Sequence, residues 1–281
     1  MESKGLAICP LASGSQGNSV FVSGDETAVL FDAGLSGIEI ERRMSAAGVS
    51  PDILTGIVIS HEHTDHVKGA GVLSRRFNIP VYINRRTWQA AEKKLGIIQE
   101  LNSFSCGTPF NIGELEIDPF SISHDAADPA AFTCRHKNVK LGIATDMGIA
   151  TRLVKEHLKD CDLLYLEANH DPEMLINGPY PWYLKQRVRG RKGHLSNTNT
   201  GTLLAEIACS RLHHVILSHL SLENNTPEKA LQTVGPFLKT EKKITLDVAR
   251  PDIPGKMVFL KSTTPELKTQ GLARQLVSPV D

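Results

Sequence analysis

The stretch Ile57–His66 reads IVISHEHTDH, and it decides how the rest of the chain is interpreted. Its three consecutive aliphatic residues predict a strand buried on both faces, because such a strand loses the usual alternation of apolar and polar residues. The loop that follows holds three imidazoles and two carboxylates within six positions. These groups are ligands that suit zinc and its neighbours. His61 and His63 are two residues apart, so in extended backbone they point the same way and are expected to share one ion.

The pattern His-x-His-x-Asp-His after an apolar strand resembles the signature of the metallo-β-lactamase superfamily. The resemblance implies an α/β fold, a four-layer αββα sandwich with a two-metal site at one rim of the sheets. The ligands that it implies are His61, His63 and His124 on one ion, Asp65, His66 and His219 on the other, and Asp146 between the two. Asp65 is also expected to take part in catalysis. Asp32 is expected to orient the metal-binding loop.

The ligands outside the motif each follow a short predicted strand, in the order along the chain that the resemblance implies. His124, Asp146 and His219 each come directly after an apolar or alternating segment, as Asp32 does after residues 28–31. A carboxylate has lone pairs for two cations where an imidazole nitrogen has one, so Asp146 suits a bridging position. The alternative is that Asp146 is the N-cap of a helix over residues 149–158.

Composition limits the classes of function. The 281 residues suit one large domain, which we place at residues 1–261, followed by a polar C-terminal tail at residues 262–281. Lys+Arg and Asp+Glu number 31 each, so net charge says nothing about an anionic partner, and any basic surface must be local. No apolar run reaches the roughly 18 residues of a membrane span, and a membrane association is not expected. The first residues lack the apolar core of a signal peptide. Five scattered cysteines favour a cytoplasmic location.

Two further segments indicate the substrate. Glu167 ends a predicted buried strand, and Gly193-His194-Leu195-Ser196-Asn197 follows after a loop. The pair resembles the glutamate and histidine of the tRNA 3′-processing endonucleases (tRNase Z), which implies that Glu167 orients His194. His194 would then be a general acid or hold the scissile phosphate. The alternative places His194 in the polar region before a helix near residues 200–210.

The loop between Glu167 and His194 interleaves aromatic residues with five cations over residues 180–192. Cations neutralise phosphates and aromatic faces stack on unpaired bases, so the segment favours nucleic acid over a merely solvated surface. A small-residue loop at residues 12–18 is a second place where backbone amides approach an anion closely, or simply a tight turn. The residues expected to bind substrate are Ser15, Asn18, Lys185, Arg187, Arg189, Arg191, Lys192, Ser196 and Asn197.

The motifs together resemble the YycJ/WalJ-type branch of the superfamily. That resemblance implies a dinuclear phosphodiesterase, a 5′ to 3′ DNA exonuclease in which a metal-bound hydroxide attacks phosphorus. The alternatives are an amide or thioester hydrolase with β-lactamase activity, a tRNase Z-like ribonuclease, and a nucleic-acid-binding protein without catalysis. The ligands favour two zinc ions, with manganese or iron as alternatives. DNA is favoured over RNA, and the oligomeric state, including a homodimer, stays open.

Overall fold

The strands of the protein form two sheets. The computed structural model describes residues 5–238 and 244–261. The strands are β1 Leu6–Ala12, β2 Ser19–Ser23, β3 Ala28–Phe31, β4 Gly56–Ile59, β5 Val81–Asn84, β6 Leu101–Phe104, β7 Phe110–Ile112, β8 Leu115–Ser121, β9 Ala130–His136, β10 Val139–Ala144, β11 Leu163–Glu167, β12 His214–Ser218, β13 Thr245–Val248 and β14 Val258–Leu260. In the described ranges they pair as two seven-stranded sheets, β14-β1-β2-β3-β4-β5-β6 and β13-β12-β11-β10-β9-β8-β7.

Helices cover the outer faces of both sheets. They are α1 Gly37–Ala46, α2 Thr64–Val67, α3 Ala70–Phe77, α4 Arg85–Leu95, α5 Arg152–Leu158, α6 Pro172–Asn177, α7 Trp182–Arg189, α8 Asn197–Ile207 and α9 Pro227–Val234, with short 3₁₀ turns at Pro51–Ile53 and Gly235–Leu238. One apolar cluster lies between the sheets, where the rings of Phe31 and Phe132 meet at a centroid distance of 5.2 Å. Two further clusters lie between the sheets and the helices. The predicted αββα sandwich is confirmed.

Strand direction places the loops that carry the predicted ligands at one edge of the sandwich. Strands β3 to β6 are parallel to one another, and so are β10 to β13. Strands β1 and β8 are each two antiparallel steps from a parallel strand, so they run in its direction. The carboxyl ends of β1, β3, β4, β8, β10, β11 and β12 therefore share one edge of the sandwich. Every predicted ligand follows one of these strands.

The segment after the motif forms two helices, α2 and α3, with Gly69 between them, where an added Cβ would lie 2.4 Å from the carbonyl oxygen of Leu35. Two local predictions were wrong. The helix expected over residues 149–158 begins at Arg152, and its N-cap is Thr151, whose hydroxyl accepts from the amide of Val154. Asp146 is therefore not a helix cap. Residues 180–192, treated as a loop, contain α7.

The C-terminal tail predicted at residues 262–281 lies outside the described residues. Within the described residues, none of the helices has both the length and the apolar character needed to span a membrane.

Candidate active site

Three site residues end their strands in an unusual backbone conformation. Asp32, Asp146 and His219 have φ values of 60°, 59° and 55°. The left-handed region is uncommon for residues other than glycine, although Asp, Asn and His tolerate it best, and such residues concentrate at functional sites. At each position the chain turns sharply as it leaves β3, β10 or β12. The turn aims a polar side chain across the edge of the sandwich instead of along the strand.

Three imidazoles form the first ligand group. His61 Nε2 lies 3.1 Å from His63 Nδ1, and His124 Nε2 lies 3.4 Å from the same atom. Burial lowers the pKa of both His61 and His124. These rings stay neutral near pH 7, which is the state that binds a metal ion. The geometry matches the first predicted ion site.

Asp65, His66 and His219 form the second group, with one candidate ligand atom from each lying within 4.8 Å of the others. Asp65 Oδ2 is 3.5 Å from His66 Nε2 and 3.9 Å from His219 Nε2. Burial alone would raise the pKa of Asp65, but the two imidazoles lower it, so the carboxylate is ionised. This group matches the second predicted ion site.

Asp146 lies between the two groups. Its Oδ1 is 3.8 Å from His124 Nε2 and 3.4 Å from His219 Nε2, while its Oδ2 is 3.4 Å from His66 Nε2. One carboxylate thus faces an imidazole of the first group and two of the second. A carboxylate in this place could be shared by ions at both groups, and the bridging role stays a prediction.

The donor set fits divalent cations, because two of its buried atoms have no hydrogen-bond partner. Asp146 Oδ2 and His219 Nε2 are buried, yet neither makes a hydrogen bond to any described residue. Buried polar atoms almost always have a partner, and one without a partner is costly. Burial lowers the pKa of His219, but Asp146, Asp65 and Glu167 together raise it to about 10. A site this rich in carboxylate requires positive charge, and divalent ions at the two groups would supply it.

Asp32 accepts three hydrogen bonds from the motif segment, at the position where the resemblance implies an orienting residue. Its Oδ1 accepts from the backbone amide of Ser60 at 2.8 Å, and its Oδ2 accepts from the Ser60 hydroxyl and from His66 Nδ1, each at 2.8 Å. With Nδ1–H committed to this carboxylate, Nε2 of His66 carries the lone pair that an ion would use, and it lies 3.0 Å from Asn18 Nδ2. Ser60 also lies 2.9 Å from His61 Nδ1, so one serine contacts both metal-binding groups.

Glu167 connects the metal groups to His194. The side chain is fully buried, and its Oε1 lies 2.7 Å from His194 Nδ1 and 3.3 Å from His219 Nδ1. Its Oε2 accepts from the backbone amides of Met147 at 2.8 Å and Leu195 at 3.2 Å. Burial raises its pKa, but His194 and His219 outweigh that and lower it to about 2. Glu167 is therefore an ionised acceptor, and both imidazoles donate to it from Nδ1.

An open cavity of about 220 Å³ lies over these groups and is called the cleft here. Besides metal-group residues it is lined by Ser15, Asp125, Leu184, Arg187, Val188, Lys192, Gly193 and His194. Among the residues expected to bind substrate, Ser15, Arg187 and Lys192 thus face the cleft. Lys185, Arg189 and Arg191 lie on the same segment outside its lining, and Lys185 Nζ donates to the carbonyl of Ile176 at 2.6 Å.

Three other expected substrate contacts are buried and lie outside the lining of the cleft. Asn18 is buried and bonded to both the amide and the carbonyl of Gly14. Ser196 is the N-cap of α8, and Asn197 is fully buried and donates to the side-chain oxygen of Asn225 at 2.9 Å. We therefore revise these three expectations from substrate contact to positioning, because their polar atoms are already occupied.

Sequence reasoning missed several residues that hold the site. The Ser13 hydroxyl accepts from the backbone amide of His219 at 2.7 Å, and Asn169 donates to the His219 carbonyl at 2.9 Å. Asp125, which follows the ligand His124, is ion-paired with Arg187 at 2.9 Å. No local motif indicates these contacts, because each joins segments far apart in the chain. His170, three residues after Glu167, is buried outside the cleft lining, and burial lowers its pKa to about 4.

Comparison with known proteins agrees with the geometry. A family model described as the metallo-beta-lactamase superfamily matches residues 12–130. The exodeoxyribonuclease YycJ of Bacillus anthracis is 39% identical over 237 residues, which cover 84% of this chain and 90% of that protein. The chain belongs to this branch of the metallo-β-lactamase superfamily. The exodeoxyribonuclease WalJ of Streptococcus pneumoniae is 36% identical over 83% of this chain and 88% of its own.

The fold of the superfamily is confirmed by a solved structure as well. The metallo-beta-lactamase fold protein YhfI of Bacillus subtilis superposes with a TM-score of 0.70 at 15% identity, covering 90% of this chain and 99% of that one. At this identity the likeness concerns the fold alone. The YycJ/WalJ relatives, by contrast, extend over most of the chain in sequence. Membership in this superfamily of hydrolases implies that the histidine–aspartate cluster binds divalent metal ions.

Proposed function

We propose that this protein is a dinuclear metal-dependent phosphodiesterase that degrades DNA from the 5′ end. The observation that carries the proposal is the contact between Glu167 and His194 at 2.7 Å, placed beside both ligand groups in one cleft. Metal groups alone fit many hydrolases of this fold. A carboxylate–imidazole pair beside them fits a reaction whose leaving oxygen needs a proton. The YycJ and WalJ relatives, named exodeoxyribonucleases, support DNA as the substrate.

Two ions are proposed, one held by His61, His63 and His124 and one by Asp65, His66 and His219, with Asp146 shared. Zinc is preferred for this histidine-rich set, and manganese or iron are the alternatives. When bound, such ions supply Lewis acidity and a water of lowered pKa. The contribution of the chain is to fix where these ions lie, through Asp32 and Glu167 behind the ligands.

His194 is proposed to deliver the proton to the leaving oxygen. Its Nδ1–H donates to Glu167, which leaves Nε2 as the ring nitrogen that exchanges a proton with substrate in the cleft. The ring is about one-fifth exposed, so it is accessible from solvent while Glu167 behind it is not. The buried carboxylate holds the orientation of the ring, one of the properties that a general acid needs.

Arg187 and Lys192 are proposed to contact the phosphates of the bound strand. Both line the cleft beside His194, and Ser15 faces them from the loop after β1. In the free protein Arg187 is paired with Asp125, and both side chains are more than half exposed. An exposed pair of this kind is weak, so a phosphate can displace the carboxylate at little cost. Lys185, Arg189 and Arg191 extend the positive segment beyond the cleft and are proposed as weaker contacts with the phosphate backbone.

The test of this assignment separates the acid from the metal groups. His194→Ala is expected to slow DNA cleavage by about 10²- to 10⁴-fold, because the leaving oxygen of DNA needs a proton. The same variant should hydrolyse bis(p-nitrophenyl) phosphate nearly as fast as wild type, since nitrophenolate departs unprotonated. Equal losses on both substrates would refute the acid role.

The alternative substrates are decided in the same experiment. Labelled RNA and a chromogenic β-lactam are assayed beside 5′-labelled and 3′-labelled DNA at fixed salt. A DNA exonuclease of the proposed polarity releases nucleotides stepwise from the 5′ end. Cleavage of RNA alone would favour the ribonuclease alternative, and turnover of the β-lactam with intact nucleic acid would favour the amide hydrolase.

Two further proposals concern the location and the oligomeric state of the protein. A cytoplasmic location stays a proposal, supported by five free cysteines, of which Cys9, Cys134 and Cys161 are buried and have a raised pKa caused by that burial. A homodimer is one possible oligomeric state, and sedimentation of the purified protein measures that state.

A further inference from the structure

Glu62 lies between two residues of the first ligand group and contacts the loop that carries the third. In the sequence it separates His61 from His63. Its Oε1 accepts a hydrogen bond from the backbone amide of Ala127 at 2.8 Å, although the two residues are 65 positions apart. Ala127 comes three residues after His124, in the loop between β8 and β9. One side chain thus joins the two segments that supply the first group.

Helix α4 contacts both of these segments. The carbonyl oxygen of Glu62 accepts from Lys94 Nζ at 2.8 Å. The carbonyl oxygen of Asp128, in the β8–β9 loop, accepts from Asn84 Nδ2 at 2.6 Å and from Thr87 Oγ1 at 3.3 Å. The backbone of Glu62 is therefore held by α4 while its side chain holds the loop, so a bond at Oε1 fixes one segment relative to the other.

The rings of His63 and His124 are held less closely than the ring of His61. Metal-binding imidazoles are usually oriented by a hydrogen bond to the other ring nitrogen. His61 Nδ1 lies 2.9 Å from the Ser60 hydroxyl, but His124 Nδ1 lies 3.4 Å from the carbonyl oxygen of Gly193, which is long for such a bond. His63 Nδ1 faces the other two imidazoles, and its Nε2 makes no hydrogen bond to a described residue. The placement of these two rings therefore depends on the backbone that Glu62 joins.

We propose that Glu62 is a positioning residue that sets the geometry of the first ion site by holding the loop of His124 against the motif segment. Glu62 belongs to none of the ligand groups and does not line the cleft, so it acts through the ligands and not on substrate. The inference rests on the metal centre of the proposed function. It adds a residue outside the ligand set on which one of the two ion sites depends.

The two oxygens of Glu62 make a pair of substitutions informative. Oε1 accepts from Ala127, whereas Oε2 is buried and makes no hydrogen bond to a described residue. Glu62→Gln can keep its carbonyl oxygen at the position of Oε1 and place its NH₂ at that of Oε2, where no existing bond is lost. Glu62→Ala removes the acceptor. A role of the negative charge alone would make both variants defective, and a role of the bond makes only Glu62→Ala defective.

The first measurement is the affinity of metal-depleted protein for Zn²⁺, from competition with a chromophoric chelator. Glu62→Ala is expected to weaken one of the two affinities by about 10- to 100-fold, the usual loss when a partner that orients the ligands is removed. Glu62→Gln should retain wild-type affinity for both ions. Equal losses in Glu62→Gln and Glu62→Ala would overturn the positioning role, and so would unchanged affinities in Glu62→Ala.

Two backgrounds identify the ion site that is affected. In His124→Ala, which lacks a ligand of the first group, Glu62→Ala should leave the remaining affinity unchanged. In Asp65→Asn, which is altered in the second group, Glu62→Ala should weaken binding by the full factor seen in the wild-type background, because independent sites contribute additively. A loss of the remaining affinity in the His124→Ala background would overturn the assignment to the first group.

The second measurement follows the loop without metal. Hydrogen exchange of the backbone segment that contains Ala127 should be faster in metal-depleted Glu62→Ala than in wild type, and wild-type-like in Glu62→Gln. Exchange that is unchanged in Glu62→Ala would overturn the contact. This readout is independent of both metal binding and DNA cleavage.

Glu114→Ala is a matched control for a general loss of stability. Glu114 Oε1 also joins two loops by accepting backbone amides, those of Glu26 at 2.8 Å and Thr27 at 2.9 Å. These loops precede β3 and β8, so they lie at the edge of the sandwich away from the ligand groups. Glu114→Ala should leave both metal affinities unchanged. A loss in this control equal to that in Glu62→Ala would show that affinity follows general stability and would overturn the inference.

The outcomes separate this inference from the proposed function. If wild type binds two ions and leaves DNA intact, the nuclease function fails, and the affinities of the variants still decide the role of Glu62. If wild type cleaves DNA and Glu62→Ala keeps both affinities, the role of Glu62 is wrong and the function stands.

Discussion

Replacing Glu167 with glutamine tests how one buried carboxylate positions two imidazoles. The carboxylate accepts from four donors: two backbone amides on Oε2 and the Nδ1 atoms of His194 and His219 on Oε1. Glutamine keeps the shape but has one oxygen and one NH₂ group. If its oxygen keeps the amides of Met147 and Leu195, its NH₂ faces both imidazoles.

Each imidazole must then accept at Nδ1 and carry its proton on Nε2. For His219 this is the atom that lies beside Asp146, 3.4 Å away, in the second metal group. A protonated Nε2 does not bind a cation. Loss of such an orienting partner weakens metal affinity by about 10- to 100-fold. His194 also loses the partner that fixes the orientation of its ring, so kcat on DNA at saturating metal should fall by about 10²- to 10⁴-fold.

The assay has two parts, metal affinity from competition with a chromophoric chelator and kcat on DNA at saturating metal. Asp118→Asn is the matched control, since Asp118 contacts His157 Nδ1 at 3.2 Å in a carboxylate–imidazole pair outside the site. Mismatched buried donors cost about 1–3 kcal/mol, so thermal unfolding is recorded to confirm that the variant is folded. Wild-type metal affinity together with wild-type kcat in Glu167→Gln would refute the reasoning.

Three further predictions follow from the fold and the cleft rim. Phe132→Ala should lower the free energy of unfolding by about 3–5 kcal/mol in urea, because it empties the space beside Phe31 between the sheets; a loss below about 1 kcal/mol would contradict the packing. Glu114 accepts from the amide of Thr27, and although partial burial raises its pKa, its hydrogen bonds lower it from 4.5 to about 2. A carboxyl group whose pKa is lowered by folding stabilises the fold above about pH 4.5, and this stabilisation is lost as the pH falls towards 2. The difference in melting temperature between wild type and Glu114→Gln should therefore shrink over this range. A difference that stays constant with pH would contradict the prediction. Asp125→Asn should lower KM for DNA by about two- to fivefold through release of Arg187, with unfolding unchanged, and a higher KM would exclude competition between Asp125 and phosphate.

The fold and the clustering of the proposed metal ligands were predictable because they depend on short-range patterns. His61, His63, Asp65 and His66 lie within six residues after one buried strand, so the spacing alone indicates a shared site. The remaining ligands each follow an apolar segment. In a sandwich whose parallel strands end at one edge, such residues meet without any knowledge of the loops between them.

The contacts around the cleft were less predictable, because they depend on pairs distant in sequence. Asn197 and Asn225 are 28 residues apart, and the hydrogen bond between their side chains makes Asn197 unavailable for substrate binding. The sequence shows an exposed-looking asparagine after His194 and nothing of its partner. Helix α7 was missed for a different reason. None of its residues is buried, so it has no apolar face from which a helical period could be recognised.

The most direct test of the central claim is the activity of metal-depleted protein on 5′-labelled DNA as Zn²⁺ or Mn²⁺ is returned in known amounts. Two ion sites sharing Asp146 predict that cleavage is absent without metal and reaches its plateau at two ions per chain. Asp146→Asn should stay inactive throughout. Cleavage that survives metal removal, or full activity in Asp146→Asn, would contradict the assignment of this cluster as the hydrolytic centre.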